Sequence, residues 1–358
     1  MTRIPVSSDF EVGIFSFGDT YPHPVTGVRQ SAGDNLQDVL ERVRLADQVG
    51  LDYFGLGEHH RSDFSVSACS TVLAAAAATT SHIRLGTATT VLTTEDPVRL
   101  YEQFATLDLL SGGRAELGVG SGVFPEPFAL FGESLDDKDR VFVDKLELLF
   151  AIDRSDRVSY PGTARPAIDD AEVWPRAVGG NLSIWQATGP TERSFTRAAR
   201  LGLSVQTAAT GGDLQELAPL IDAYREKGRS FGWPESRLRV AIGGHGIVGA
   251  PGEQARSEFF PHYRDYVAGM RANRGKPVTT AEQYAERAAD LGSGIFAGSP
   301  AEIIEKILHQ HSVVGHDRHI FQVDWRAVPH ATQLRTIELI GTEVAPAVRA
   351  ELALRRSA

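Results

Sequence analysis

The chain has 358 residues, long for one typical domain but within the range of a single α/β barrel that carries insertions. Its composition, 42% apolar and 23% charged, is that of a globular protein. No apolar run approaches the roughly 20 residues needed to cross a bilayer, and the amino terminus lacks a basic stretch followed by an apolar segment, so the expectation is a cytoplasmic protein with no membrane partner. A net charge of −10 without a block of Lys and Arg argues against nucleic acid as a partner, and the single cysteine, Cys69, excludes an internal disulfide and any multi-cysteine metal cluster.

Apolar strand-like runs alternate with amphipathic helical patterns almost from end to end, the signature of parallel strands joined by crossover helices. The first strand, Glu11–Phe17, ends in Phe-Gly-Asp-Thr-Tyr-Pro rather than a glycine-rich phosphate loop, which favours a closed barrel over an open doubly wound sheet. Asp34 with Gln37 reads as a capping box for the first helix, and Gly50 ends it. The second strand, Asp52–Gly57, runs into Glu58-His59-His60-Arg61. Active sites of such barrels form at the carboxyl ends of the strands, so one histidine of this pair is expected to face the site, with a structural role as the plain alternative. Metal binding is unattractive, because no other His or Cys pair is suitably spaced.

The third strand is expected at Ile83–Thr89 and the fourth at Ala115–Gly120. The fourth continues as Ser121-Gly122-Val123, and its three glycines in five residues leave room for a flat ring or a tight turn. Asp153–Asn181, rich in Pro, Gly and Asp, interrupts the rhythm before a fifth strand at Leu182–Ala187. That strand leads through Thr188, Gly189 and Thr191 into a helix, and free amides at a helix start beside two hydroxyls make a phosphate cradle or, more simply, a helix cap. Arg140 could supply a matching positive charge; alone it is an ordinary surface arginine. Strands at Leu203–Thr207, Arg239–Val248 and His319–Trp325 complete a set of eight, with a second interruption at Ala250–Gly298. Ser299-Pro300-Ala301-Glu302 is a capping box after it. His245 is a secondary site candidate, and the stretch Phe259–Tyr266 either lines a substrate pocket or packs on the barrel.

In this order and spacing, Gly57-Glu58-His59-His60, Ile83–Thr87, Asp96-Pro97-Val98-Arg99, Asp108–Arg114 and Gly118–Gly122 resemble the bacterial luciferase family of flavin-dependent monooxygenases over most of the chain. The resemblance implies a single (β/α)8 TIM barrel over 1–358, with insertions before strand 5 (about 153–181) and after strand 7 (about 250–298). It also implies reduced FMN supplied by a separate flavin reductase, and dioxygen used to oxidise a small organic substrate such as an aldehyde, sulfonate or thioether. His59 matches the family's functional histidine, with a role in proton management beside the flavin. Ala88 and Thr89 match a strand end under the ring that often holds a non-proline cis peptide; Ser121, Gly122 and Val123 match the turn beside the flavin; Arg140 matches a phosphate-contacting arginine; and Ala187, Thr188, Gly189 and Thr191 match the phosphate cradle. Two departures stand out: Ser121 occupies the place of a phosphate-binding arginine in luciferase, and the cradle carries a small insertion. The long mobile loop of true luciferases is not recognisable, which argues against light emission. Family members commonly form homodimers through their second and third helices, and the Ala-rich stretch Ala68–Thr80 suits such a contact. A deazaflavin-dependent hydride transferase of the same fold and a non-catalytic flavin-binding protein are the alternatives. An unrelated phosphate-binding lyase barrel would need an acid or lysine cluster at the strand ends, and apart from Glu58 there is none.

Overall fold

The computed structural model describes residues 10–208, 214–272 and 279–357. Its strands in chain order are β1 (Glu11–Ser16), β2 (Tyr53–Leu56), β3 (Arg84–Thr87), β4 (Thr90–Val91), β5 (Ala115–Gly120), β6 (Arg157–Tyr160), β7 (Ile168–Glu172), β8 (Ser183–Ala187), β9 (Ser204–Ala208), β10 (Val240–His245) and β11 (Arg318–Gln322). All but β6 and β7 form one parallel sheet in the order β3-β2-β1-β11-β10-β9-β8-β5-β4, and pairing of Leu85 with Ala115 closes it between β3 and β5. The expected third strand is split. Its ladder breaks at a cis peptide between Ala88 and Thr89 and resumes at β4, where Thr90 pairs with Val119. With β3 and β4 counted as one stave, the sheet is an eight-stave (β/α) barrel, which excludes the open doubly wound alternative.

The intervening helices are α1 (Ala32–Gln48), α2 (Cys69–Ala77), α3 (Pro97–Ser111), α4 (Glu126–Phe131), α5 (Lys138–Arg154), α6 (Glu192–Leu201), α7 (Leu214–Ser230), α8 (Gly252–Ala272), α9 (Ala281–Ala289), α10 (Pro300–Val314), α11 (His330–Leu339) and α12 (Ala345–Ser357). The start of α1 differs from expectation. Ser31, not Asp34, is the cap, its hydroxyl accepting the Asp34 amide at 3.1 Å, because Asp34 already lies inside the helix. The Ser299–Glu302 box at α10 forms reciprocally as read. The motif Asp108–Arg114 has a structural cause. Asp108 accepts the amides of Ala115 and Val178 at 3.1 and 2.9 Å, while Arg114 donates to the carbonyls of Ala77, Thr80 and Ile83, tying the end of α2 to the starts of two strands.

Alternation along the strands sorts the barrel wall. Val12 and Ile14 join Val39 and Val43 of α1 in the core between sheet and helices. The alternate residues at the strand starts meet inside the barrel as a buried ion network. Arg318 donates to Glu11 at 2.7 Å and to both oxygens of Glu116 at 2.7 and 3.0 Å, and it lies between the rings of Tyr53 and Trp185 at 4.4 and 4.3 Å. Burial alone would raise the Glu11 pKa, but Arg318, Arg84 and Arg239 outweigh it and hold it down to about 2.

Within 153–181 the chain forms the antiparallel hairpin β6–β7. Within 250–298 it forms α8 and α9 over a second apolar core of Ile247, Phe259, Tyr263, Tyr284 and Trp325. Among the described residues, no helix is long and apolar enough to cross a membrane.

Candidate active site

The carboxyl ends of the staves open on a cavity of about 390 Å³, within the range that holds a cofactor-sized ligand. One wall comes from the end of β2. Gly57 is required there, since a Cβ would sit 1.9 Å from the Phe17 ring. Buried Glu58 takes His60 Nε2 at 2.8 Å on one oxygen and the Val91 amide at 3.0 Å on the other, so the second histidine is committed to fixing β4 beside β2. Both histidines border the cavity, and His59 is the one not bonded to a carboxylate. Its ring stacks on Phe64 at 4.1 Å and meets the edges of Phe17 and Phe124 at 4.7 and 5.1 Å. Neither ring nitrogen has a protein partner among the described residues. Burial first, then the charges of Arg61 and His60, push its pKa down to about 4, so at neutral pH it is an imidazole with one donor and one acceptor nitrogen.

The floor has few side chains. A Cβ on Gly118 would lie 2.1 Å from the Thr87 carbonyl, one on Gly120 would lie 3.0 Å from Thr89 Oγ1, and Gly122 adopts φ 77°, a conformation that side chains disfavour. Ala88, Thr89, Ser121, Gly122, Val123, Ala187, Thr188 and Gly189 all border the cavity beside this strip, and Val123 stands 76% exposed at its rim.

At the far edge Thr191 caps α6, accepting the Ser194 amide at 3.4 Å, and the Ser194 hydroxyl donates back to Gly189 at 3.0 Å. The first-turn amides of Glu192 and Arg193 precede any helical acceptor and are the donors an anion would use. Thr191 does not border the cavity itself. Neither does Arg140, whose side chain is 61% exposed, with Nε 3.5 Å from Asp137. An ion pair between Arg193 and Asp139 at 2.5 Å joins the starts of α5 and α6 nearby.

Sequence reasoning did not single out Phe17, Arg61, Phe124 or, individually, Tyr266, all of which border the cavity. Phe17 is held by a device with no sequence signature. Asp324, after β11, accepts the Ser16 hydroxyl at 2.6 Å and the amides of Phe17, Gly18 and Asp19 at 3.1, 3.0 and 3.2 Å. Burial and the charge of Asp324 then push Asp19 up to about 8, so it is protonated at neutral pH. The stretch Phe259–Tyr266 does both things expected of it: Tyr266 reaches the cavity, while Phe259 and Tyr263 pack in the second core. His245 lies behind the cavity, fully buried and stacked on Trp325 at 3.8 Å.

Comparison with known proteins gives a consistent result. A family model described as luciferase-like monooxygenase matches residues 10–320. The N-acetyl-S-alkylcysteine monooxygenase of Bacillus subtilis (strain 168) is 33% identical over 300 residues, covering 78% of this chain and 84% of that protein. Among solved structures, monooxygenase RslO1 from Streptomyces bottropensis superposes with TM-score 0.82 at 23% identity, covering 94% of this chain and 99% of the other. The oxygenating constituent of a Pseudomonas putida 3,6-diketocamphane monooxygenase in complex with FMN gives 0.75 at 20% identity, over 95% and 98%. An F420-dependent secondary alcohol dehydrogenase gives 0.71 at 19% identity, over 95% and 99%, so fold likeness alone spans two cofactor types.

Proposed function

The chain belongs to the luciferase-like monooxygenase family, and from that premise we propose that it is a cytoplasmic, FMN-dependent monooxygenase that takes reduced FMN from a separate reductase and uses dioxygen to oxidise a small organic substrate. The observation that carries this reading is a neutral histidine, His59, facing a cavity whose floor is stripped of side chains. The residues fit the group. Gly120 and Gly122 border the cavity without a side chain, and the start of α6 offers amides to a phosphate. When bound, reduced flavin supplies the electrons that activate dioxygen. His59 holds or passes a proton at its cavity-facing nitrogen, the rings of Phe17, Phe64 and Phe124 exclude water around it, and Glu58 keeps β2 and β4 in register beneath. Leu109 and Leu110, 46% and 68% exposed at the end of α3, support a homodimer through α2 and α3.

The deazaflavin reading has one observation in its favour, the likeness to an F420-dependent dehydrogenase. Anaerobic titration separates the two. Reduced FMN is expected to bind more tightly than reduced deazaflavin, and on mixing with dioxygen its return to the oxidised spectrum should be slower in the complex than free in solution, with the rate altered in His59→Ala. Tighter deazaflavin binding, with FMN reoxidation indistinguishable from free flavin, would overturn the proposal. Slow reoxidation without oxygen transfer to any of a panel of aldehydes, sulfonates and thioethers would leave a flavin-binding protein without the activity.

A further inference from the structure

We propose that the amino-terminal mouth of the barrel, opposite the active site, is a second binding site that takes the phosphate group of a small phosphorylated molecule or a chemically equivalent oxyanion. A cavity of about 260 Å³ opens there between the starts of β3, β5, β8 and β9, the end of α5 and the turn before β10. Three arginines and one carboxylate border it: Arg84, Arg154, Arg237 and Glu116. Arg84 and Glu116 are spent on each other and on the barrel network, with Arg84 Nε 2.9 Å from Glu116. Arg154 and Arg237 are not. Arg237 donates its Nε to the Gly202 carbonyl at 3.2 Å and lies over the Trp233 ring at 4.8 Å. Arg154 has its Nε 3.5 Å from Asp153 and lies over the Phe150 ring at 5.2 Å. The terminal nitrogens of both have no acceptor among the described residues.

Asp153 is a single counter-charge shared by Arg154, Arg176 and Arg237. One of its oxygens takes the Leu182 amide at 2.7 Å, and burial raises its pKa. Burial and the neighbouring Arg154 together bring the Arg237 pKa down to about 10, the response of a guanidinium short of a partner. An aromatic ring near each guanidinium, 5.2 Å for Arg154 and 4.8 Å for Arg237, restricts it, which lowers the ordering cost of offering two forked donors to one oxyanion. Ser183 adds a hydroxyl whose oxygen already accepts from Trp185 Nε1 at 3.2 Å, leaving its proton to donate. The cavity exceeds a bare phosphate, so a small organic phosphate fits.

Trp233 reports on the site directly. Inorganic phosphate titrated into the full chain at constant ionic strength should change tryptophan emission saturably. The change should be smaller in Trp233→Phe, which leaves Trp185 beside Ser183, and its midpoint should rise at least tenfold in Arg154→Gln/Arg237→Gln. Arg237→Lys, which keeps the charge but loses the fork and the stack, should bind severalfold more weakly with unaltered circular dichroism, and it stands in if the double variant fails to fold. No saturable change, a change matched by chloride, or a midpoint unmoved in the arginine variants would each overturn the proposal.

Discussion

Phe64→Ser tests the physical cause assigned to the neutral state of His59. The gap between an ordinary histidine at 6.5 and about 4 corresponds to roughly 3.4 kcal/mol against the imidazolium, with burial as its largest cause. Phe64 covers one face of the ring at 4.1 Å and an interplanar angle of 20°, while Phe17 and Phe124 meet it at steep angles. Opening that face to water should restore about one unit, so the midpoint climbs to near 5. Arg61→Gln should raise it by less, since Arg61 ranks behind burial. Histidine labelled at ¹³Cε1 gives a resolvable NMR titration among eleven histidines, the signal assigned by its loss in His59→Gln. A wild-type midpoint near 6.5, or no movement in Phe64→Ser, would refute the reasoning. If it holds, wild-type turnover should show no inflection from His59 between pH 5.5 and 8.

Gly120→Val places methyl groups where Thr89 Oγ1 and the Ala187 Cβ already stand 3.0 and 3.4 Å from a Cβ, and should weaken flavin binding at least tenfold by fluorescence titration. Arg318→Met removes one of the two arginines that bridge Glu11 and Glu116, Arg84 being the other, and should cost about 3 kcal/mol by denaturant unfolding, a loss that adding Glu116→Gln partly reverses. The buried histidines His245 and His319 have pKa values pushed down to about 3 by burial, so between pH 6.5 and 3 the unfolded chain binds protons the folded one refuses, and stability falls as pH falls. At pH 5 each should cost roughly 2 kcal/mol relative to pH 8, measured as a lower denaturation midpoint that His319→Phe partly restores.

The parallel barrel was legible because its strands are short apolar runs between well-signalled helices; the third strand's interruption has no local breaker at Ala88 or Thr89, and only the family resemblance pointed to the cis peptide found there. The β2 and β5 ends were readable for a related reason: a His pair and a glycine strip are unusual at strand ends, where barrels place chemistry. Phe17 reads in sequence as the last residue of a strand, Arg61 only as the tail of the His-pair run, and Phe124 not at all; what brings Phe17 to the cavity is long-range. Asp324 reaches back more than 300 residues to hold Phe17, a contact that periodicity and capping rules do not encode. The first-helix cap was misread by three positions because both Ser31 and Asp34 are good capping residues, and only backbone geometry separates them.

Fully buried ion pairs gather at one end of the barrel axis, whereas Arg61 and Glu126, charged side chains beside the active-site cavity, are partly exposed and paired with Asp63 and with each other. At the strand starts Glu11, Arg84, Glu116, Arg239 and Arg318 stay ionised in a mutually compensated network. At the strand ends His59 is neutral, Asp19 is protonated, and Glu58 is bound to His60 and the Val91 amide. A cavity that must admit a flat apolar ring and keep water away is served badly by an uncompensated charge, which would draw water in or shift its own ionisation. The ion network therefore sits where it can fix strand register without touching the cavity. If the two ends are independent, the stability loss of Arg318→Met should add to whatever Gly120→Val costs in stability, and the binding loss of Gly120→Val should be unchanged in the double variant, as expected of sites without shared partners. Marked non-additivity would mean that the network also tunes the cavity, and the division argued here would fail.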